Sequence, residues 1–271
     1  TTSSAASDVY KRQSLDLIGN TPLLLVNNLD TGPCNLYLKL ESFNLGGSIK
    51  DRPAKNMIIE AEKKGFLKKG GTIVEATAGN TGIALAIMAV KRGYKVVIIV
   101  PDKMTVEKVY HLKALGAEVI VARSDVVNGH PEYYLEIAKR IAKERKAFYI
   151  NQFSNQANIK SHIKDLGPEI YNQLDGKIHA FVAGVGTGGT ISGIGKFLKS
   201  KNKKCELVLA DPKGSILKDL IKTGKINKNV GSWIVEGIGE DFCPPLLDTS
   251  LIDHAYSITD FEAINLSLIH I

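Results

Sequence analysis

Short apolar or β-branched runs alternate with segments of helical periodicity along most of the chain, and no other feature narrows its fold as far. Strands are predicted at 23–26, 35–41, 72–75, 95–100, 117–121, 147–150, 178–182 and 205–210. Helices are predicted between them at 53–64, 81–92, 105–114, 132–145, 188–198 and 215–222. Strand, helix and strand in succession make the βαβ unit, so the pattern predicts an α/β fold of open, twisted, mostly parallel sheets flanked by helices. Gly65, Gly93 and Gly116 each follow an apolar-periodic segment and precede the next strand, as helix C-terminal caps do. At 271 residues the chain can bury a core in one large or two modest domains. It carries no internal repeat, low-complexity tract or evident linker.

Three loops follow predicted strands, where open α/β sheets hold their ligands. The first, Thr77-Ala78-Gly79-Asn80-Thr81-Gly82, is polar and opens a helix. Its backbone N–H groups and hydroxyls suit a carboxylate, and Asn80 offers both a donor and an acceptor. The second, Gly184-Val185-Gly186-Thr187-Gly188-Gly189-Thr190, also leads into a helix, and its N–H groups and two hydroxyls form an anion nest suited to a phosphate. It meets the G-x-G-x-x-G pattern at Gly184, Gly186 and Gly189, with Asp211 ending the next strand, which admits a nicotinamide-dependent oxidoreductase as an alternative. That fingerprint normally opens a nucleotide-binding domain, whereas here several strand–helix units come first. The third loop, Gln152-Phe153-Ser154-Asn155, places Gln152 where it can contact a bound anion.

Upstream of these, Phe43-Asn44-Leu45-Gly46-Gly47-Ser48-Ile49-Lys50-Asp51-Arg52 sets a lysine just past a glycine-softened turn. A helix is expected to start near Asp51 and Pro53, because proline is tolerated in a first helical turn. A positive helix end and desolvation would lower the pKa of Lys50 and favour the neutral amine that forms a Schiff base with a carbonyl. Taken alone, a lysine at a helix start is more often simply solvated.

Composition excludes several classes. With 44% hydrophobic and 23% charged residues, the chain is neither disordered nor fibrous. The formal charge of +7 weakly favours anionic small molecules, but the lysines are scattered and no aromatic residues interleave them as in a nucleic-acid surface. Cys34, Cys205 and Cys243 lie far apart, so no metal cluster or disulfide framework is readable, and a reducing cytoplasmic setting is the default expectation. No apolar run is long enough to span a bilayer. Residues 8–13 (DVYKRQ) and 266–271 (LSLIHI) can be encoded by reverse-complementary DNA resembling the inverted end of a transposase-type sequencing adaptor. Residues 1–13 are therefore expected to be an adaptor-like leader and 266–271 an adaptor-like tail. Leaving out Asp8, Lys11 and Arg12 gives 33 basic and 27 acidic residues, so the positive balance persists.

The pieces resemble, in order, the cysteine synthase and cystathionine β-synthase family of pyridoxal-phosphate enzymes. The resemblance runs from Leu15 to Asn265 through Ile18-Gly19-Asn20-Thr21-Pro22-Leu23, Lys39-Leu40-Glu41, FNLGGSIKDR, TAGNTGIALA, PDKMTVEKVYHLKALGAEV, NQFSNQAN, GPEIY, GVGTGGTISG and VEGIGEDF. Lys103-Met104-Thr105-Val106-Glu107-Lys108, Asp211-Pro212-Lys213-Gly214-Ser215-Ile216-Leu217 and Val235-Glu236-Gly237-Ile238-Gly239 are more similar to the cystathionine β-synthase branch.

The resemblance implies a tryptophan synthase β-like arrangement: two sheets with a cofactor cleft between a small domain, 44–150, and a large one made of 14–43 and 151–265. It implies that Lys50 holds pyridoxal phosphate as an internal Schiff base and then moves the Cα proton. Asn80 would bond the cofactor's phenolic oxygen, Gly186, Thr187, Gly188, Gly189 and Thr190 its phosphate, and Gly237 would line its other side. Thr77, Ala78, Gly79, Thr81 and Gln152 would hold the substrate carboxylate. The implied reaction is β-replacement on serine or an activated serine: the β-substituent leaves and a thiol adds to an aminoacrylate, with homocysteine favoured as acceptor. Cysteine synthesis from O-acetylserine and sulfide is the alternative on the same scaffold, and a non-catalytic relative or inactive fragment is another. A homodimer is implied, with no metal, nucleic acid or membrane partner.

Several positions depart from the family pattern. Ala78 stands where a serine is usual, Leu45, Gln156 and Ile159 where proline is frequent, and Asp165-Leu166 where threonines precede the Gly-Pro pair. The late serine that meets the pyridine nitrogen is expected beyond Asn265.

Overall fold

The computed structural model describes residues 14–77, 79–126, 129–226 and 230–268. It divides into two compact units between Ile150 and Asn151.

In the first unit, β1 (Leu23–Leu25) and β2 (Tyr37–Lys39) pair antiparallel, with Leu23 opposite Lys39. The strand predicted over 35–41 is shorter because Glu41–Phe43 winds into a 3-10 turn, directly after the Leu40 N–H carries the pairing on to the Pro22 carbonyl. Then follow α1 (Asp51–Lys63), β3 (Thr72–Ala76), α2 (Asn80–Arg92), β4 (Lys95–Pro101), α3 (Val106–Ala114), β5 (Glu118–Ala122), α4 (Tyr134–Glu144) and β6 (Phe148–Tyr149). The main sheet is parallel throughout, in the order β5-β4-β3-β6. β4 is buried along all but its first residue, as a parallel strand covered on both faces must be. One face packs Val74, Ala76, Val97 and Ile99 against Ile137, Ala138, Ile141 and Ala142 of α4. On α2, Ile83, Leu85 and Met88 are buried, and α2 packs on α1. The two helices are also tied by Glu62, which pairs with the Arg92 guanidinium (Nε–Oε1 2.8 Å) and accepts the Tyr94 hydroxyl at 2.6 Å. Gly93, in left-handed conformation at φ +72°, caps α2 as its position before a strand required.

The second unit opens with a helical run absent from the sequence expectation. α5 (Gln156–Ser161) is capped by the Asn155 side chain, passes through a π-helical turn at His162–Leu166, and continues as α6 (Gly167–Gln173). Next come β7 (Ala180–Ala183), α7 (Gly189–Lys201), β8 (Glu206–Pro212), α8 (Leu217–Thr223), β9 (His254–Ile258) and α9 (Asp260–Leu268). β7, β8 and β9 form a parallel sheet in that order. Its core gathers Val185, Ile191, Leu209, Ile216, Leu217, Leu247, Ile252 and Ala255. Among the described residues no helix is long and apolar enough to cross a membrane.

Candidate active site

Lys50 is the N-cap of α1. Its N–H donates to Ser48 Oγ at 3.2 Å and its carbonyl accepts the Ala54 N–H at 3.0 Å. Asp51 beside it is buried and accepts the Gly46 N–H at 2.5 Å. Burial pushes the Asp51 carboxyl above the ordinary range; the Gly46 bond opposes this and the Glu41 charge adds to it. A side chain at Gly46 would lie 2.5 Å from the same carboxylate, so the turn ahead of Lys50 closes only on glycine.

The Thr77 loop leaves the C-terminal end of β3, the strand at which the sheet order reverses: β4 and β5 lie to one side, β6 to the other. Such a switch point opens a crevice at the strand ends. Thr77 is buried, its N–H donates to the Ile99 carbonyl at 2.9 Å, and its Oγ1 accepts the Gly79 N–H at 3.2 Å. An accepting hydroxyl keeps its own proton to give to another group. Asn80 and the buried Thr81 form the first turn of α2. A Cβ at Gly82 would come within 3.2 Å of Leu112 and Thr77, so the helix start lies tightly against the loop. Ala78 lies outside the described residues.

In the second unit the Gly184–Thr190 segment joins β7 to α7. A Cβ at Gly184 would meet Ile238, at Gly186 the Gly237 carbonyl at 2.7 Å, at Gly188 the Leu247 backbone at 2.7 Å, and at Gly189 the Asn158 amide. Gly188 also needs its left-handed φ of +82°. Asn158 Nδ2 donates to Thr187 Oγ1 at 3.1 Å and to the Gln152 carbonyl at 3.0 Å, linking the Gln152 loop to the cradle. His162 Nε2 lies 3.3 Å from Thr190 Oγ1. Gly237, at φ +82°, sits on a loop held by Gly239 N–H to the Val185 carbonyl at 2.7 Å and by Trp233 Nε1 to the Ile238 carbonyl at 2.9 Å.

The model of the family described as "Pyridoxal-phosphate dependent enzyme" matches residues 15–269. The chain belongs to that family. It is 44% identical over 255 residues to cystathionine beta-synthase of Apis mellifera, covering 93% of this chain and 50% of that one. It is 42% identical to the O-acetylserine dependent cystathionine beta-synthase of Bacillus subtilis, over 93% of this chain and 79% of the relative. Cysteine synthase 1 of Neurospora crassa is likewise 42% identical, over 92% and 68%. A hydrogen sulfide-producing enzyme of Fusobacterium nucleatum superposes with TM-score 0.85 at 37% identity, covering 94% of this chain and 83% of that one. The chain spans about half the length of the eukaryotic cystathionine beta-synthases it matches.

The family's cofactor, pyridoxal 5'-phosphate, fits what the cradle presents. Thr187 and Gly188 are buried, and among the described residues no group accepts from the N–H of Gly186, Thr187 or Gly188. Buried unpaired donors at a helix N-terminus are costly without an anion to receive them. Thr187 Oγ1 accepts from Asn158 and from the Gly189 N–H, so its proton too remains to be given outward. The nicotinamide alternative loses its acidic residue: Asp211 is 1% exposed, with its Oδ2 on the Lys218 N–H at 2.8 Å at the start of α8. Burial also raises its carboxyl above the ordinary range, so this acidic group is enclosed rather than presented to a ribose. Among the described residues no group of three His, Cys, Asp or Glu is arranged to hold a metal ion.

Asn158 and His162 escaped the sequence reading. Their signal is the four-residue spacing that sets both on one helix face. It matches Gly189 and Gly193 on α7, where a Cβ at Gly193 would meet His162 Cβ at 2.7 Å.

Proposed function

We propose that this chain is the catalytic core of a pyridoxal-phosphate β-replacement enzyme that joins serine, or an activated serine, to a thiol, with homocysteine as the favoured acceptor and cystathionine as product. The observation that carries this is the 44% identity to cystathionine beta-synthase across nearly the whole chain. Bound in place, the cofactor supplies an electron sink for negative charge at the substrate Cα.

Each residue has a task that its surroundings support. Lys50 would hold the cofactor through its neutral amine, and that amine would take and return the substrate Cα proton. The Gly186–Thr190 segment, with Gly189 and Thr190 opening α7, would receive the phosphate chiefly on the N–H groups of Gly186, Thr187 and Gly188 and on the outward proton of Thr187. Asn80 holds the phenolic oxygen, and Gly237 lines the cofactor. Thr77, with Gly79, Thr81, Gln152 and the backbone of Ala78, receives the substrate carboxylate and so aligns the Cα–H bond for proton removal. Ala78 brings no hydroxyl, so the carboxylate depends more heavily on Thr77. The active assembly is a homodimer.

Absorbance of the purified protein with added pyridoxal phosphate tests the cofactor roles. A visible band that is lost in Lys50→Ala is expected; a band unchanged in that variant overturns the role of Lys50. Product analysis with serine and homocysteine then tests the reaction, and no cystathionine above the no-enzyme blank overturns it.

Cysteine synthesis from O-acetylserine and sulfide is the second reading, supported by the 42% identity to cysteine synthase 1. Faster turnover with that pair than with serine and homocysteine would favour it.

A further inference from the structure

We propose that the buried ion pair between Glu41 and Arg52 is a positioning device for Lys50, built from side chains to which the reaction assigns no task. The proposal rests on Lys50 being the cofactor-linking lysine.

The Arg52 side chain is 0% exposed, and that of Glu41 12%. Arg52 Nε meets Glu41 Oε2 at 2.7 Å and Nη2 meets Oε1 at 2.9 Å, a two-pronged contact that fixes an angle as well as a distance. Each Glu41 oxygen accepts one more bond: Oε1 from the Thr21 hydroxyl at 2.6 Å, Oε2 from Asn44 Nδ2 at 2.9 Å. Asn44 Oδ1 in turn accepts the Gly19 N–H at 2.9 Å, and Lys39 Nζ donates to the Thr21 carbonyl at 2.6 Å. Segments 18–23, 39–44 and 50–52 thus converge on one carboxylate.

Stability does not account for this arrangement. A buried ion pair roughly breaks even against well-packed apolar side chains of similar size. What the guanidinium fork adds is orientation. Arg52 is two residues past Lys50 in the first turn of α1, so the two side chains leave the helix about 200° apart. Locking Arg52 inward therefore fixes the direction in which residue 50 leaves the turn. Asp51, held on the Gly46 N–H, pins the same turn from a second direction. The device brings the reacting nitrogen to the same place each time, which a helix end held only by apolar packing does not do.

The test compares three chains with the unaltered protein: Glu41→Leu with Arg52→Met, which keeps an apolar filling; Arg52→Lys, which keeps the charge and loses the fork; and Thr21→Val. Three quantities are measured. One is thermal unfolding of the cofactor-free protein. The second is affinity for pyridoxine 5'-phosphate, which carries the phosphate but no aldehyde. The third is the rate of covalent attachment of pyridoxal phosphate to Lys50, read by borohydride trapping and peptide mass. The double variant and Arg52→Lys are expected to attach about tenfold or more slowly, with unfolding and pyridoxine phosphate affinity near those of the unaltered chain. Thr21→Val is expected to fall between.

Attachment at the unaltered rate in a folded double variant overturns the proposal. Should the double variant fail to fold, Arg52→Lys decides: slow attachment at unaltered affinity supports the proposal, and an unaltered rate overturns it. Absence of attachment to Lys50 in the unaltered protein overturns instead the assignment on which the proposal rests, and the proposal with it.

Discussion

At the scale of single residues, the cradle shows how little room a phosphate site leaves for a methyl group. Gly189 abuts the Asn158 amide, and Asn158 in turn holds Thr187. A Cβ at 189 has to push that amide away, and the Thr187 hydroxyl loses the donor behind it. Gly189→Ala is therefore expected to weaken binding of inorganic phosphate and of pyridoxal phosphate about tenfold or more, roughly 1.4 kcal/mol, measured by titration calorimetry. Undiminished phosphate affinity would count against this segment as the anion site. Residues of this kind were only partly legible in the sequence. Lys50 and the glycines announced themselves, because turn glycines and a helix-start lysine are local features. Arg52 did not, since a charged residue reads as exposed and its burial depends on Glu41 eleven positions earlier. Asn158 and His162 stayed hidden because Thr187 and Thr190, their partners in the segment that leads into α7, lie about thirty residues downstream.

At the scale of elements, the alternation of apolar runs reached nearly every strand and helix of the first unit. It failed over 156–173, where it predicts no element. There the helix is carried by tertiary packing on α7, and Pro168 follows directly on the π-helical turn at His162–Leu166. The α1–α2 pair offers a test of a different coupling. The Glu62 carboxyl is held below its usual range chiefly by the Arg92 guanidinium. A group whose folded pKa is depressed contributes stability that is present above its unfolded value and lost as pH falls through the folded one. Glu62→Gln is thus expected to cost about 1 kcal/mol at pH 7, allowing for solvent screening of a partly exposed pair. The difference between variant and unaltered chain should shrink steadily in denaturant titrations repeated as the pH falls below the ordinary glutamate range. A cost independent of pH would assign it to packing rather than to charge.

At the scale of the whole molecule, the chain consists of two units, each with its own apolar core. Unfolding need not be a single transition in such a chain, so its stability is best followed unit by unit. The bond from Trp233 to the Ile238 carbonyl offers a means of doing so. Trp233 is the chain's single tryptophan, and it is fastened to the loop that carries Gly237. Emission excited at the red edge of the indole band, beyond the absorption of the nine tyrosines, is consequently a one-channel signal from the second unit. At a hundredfold excess over its dissociation constant, phosphate should raise the stability read in that emission by about 2.7 kcal/mol, and a tenfold weaker Gly189→Ala should lose about half of that gain or more at the same phosphate concentration. The indole that closes the loop is also an optical label already in place.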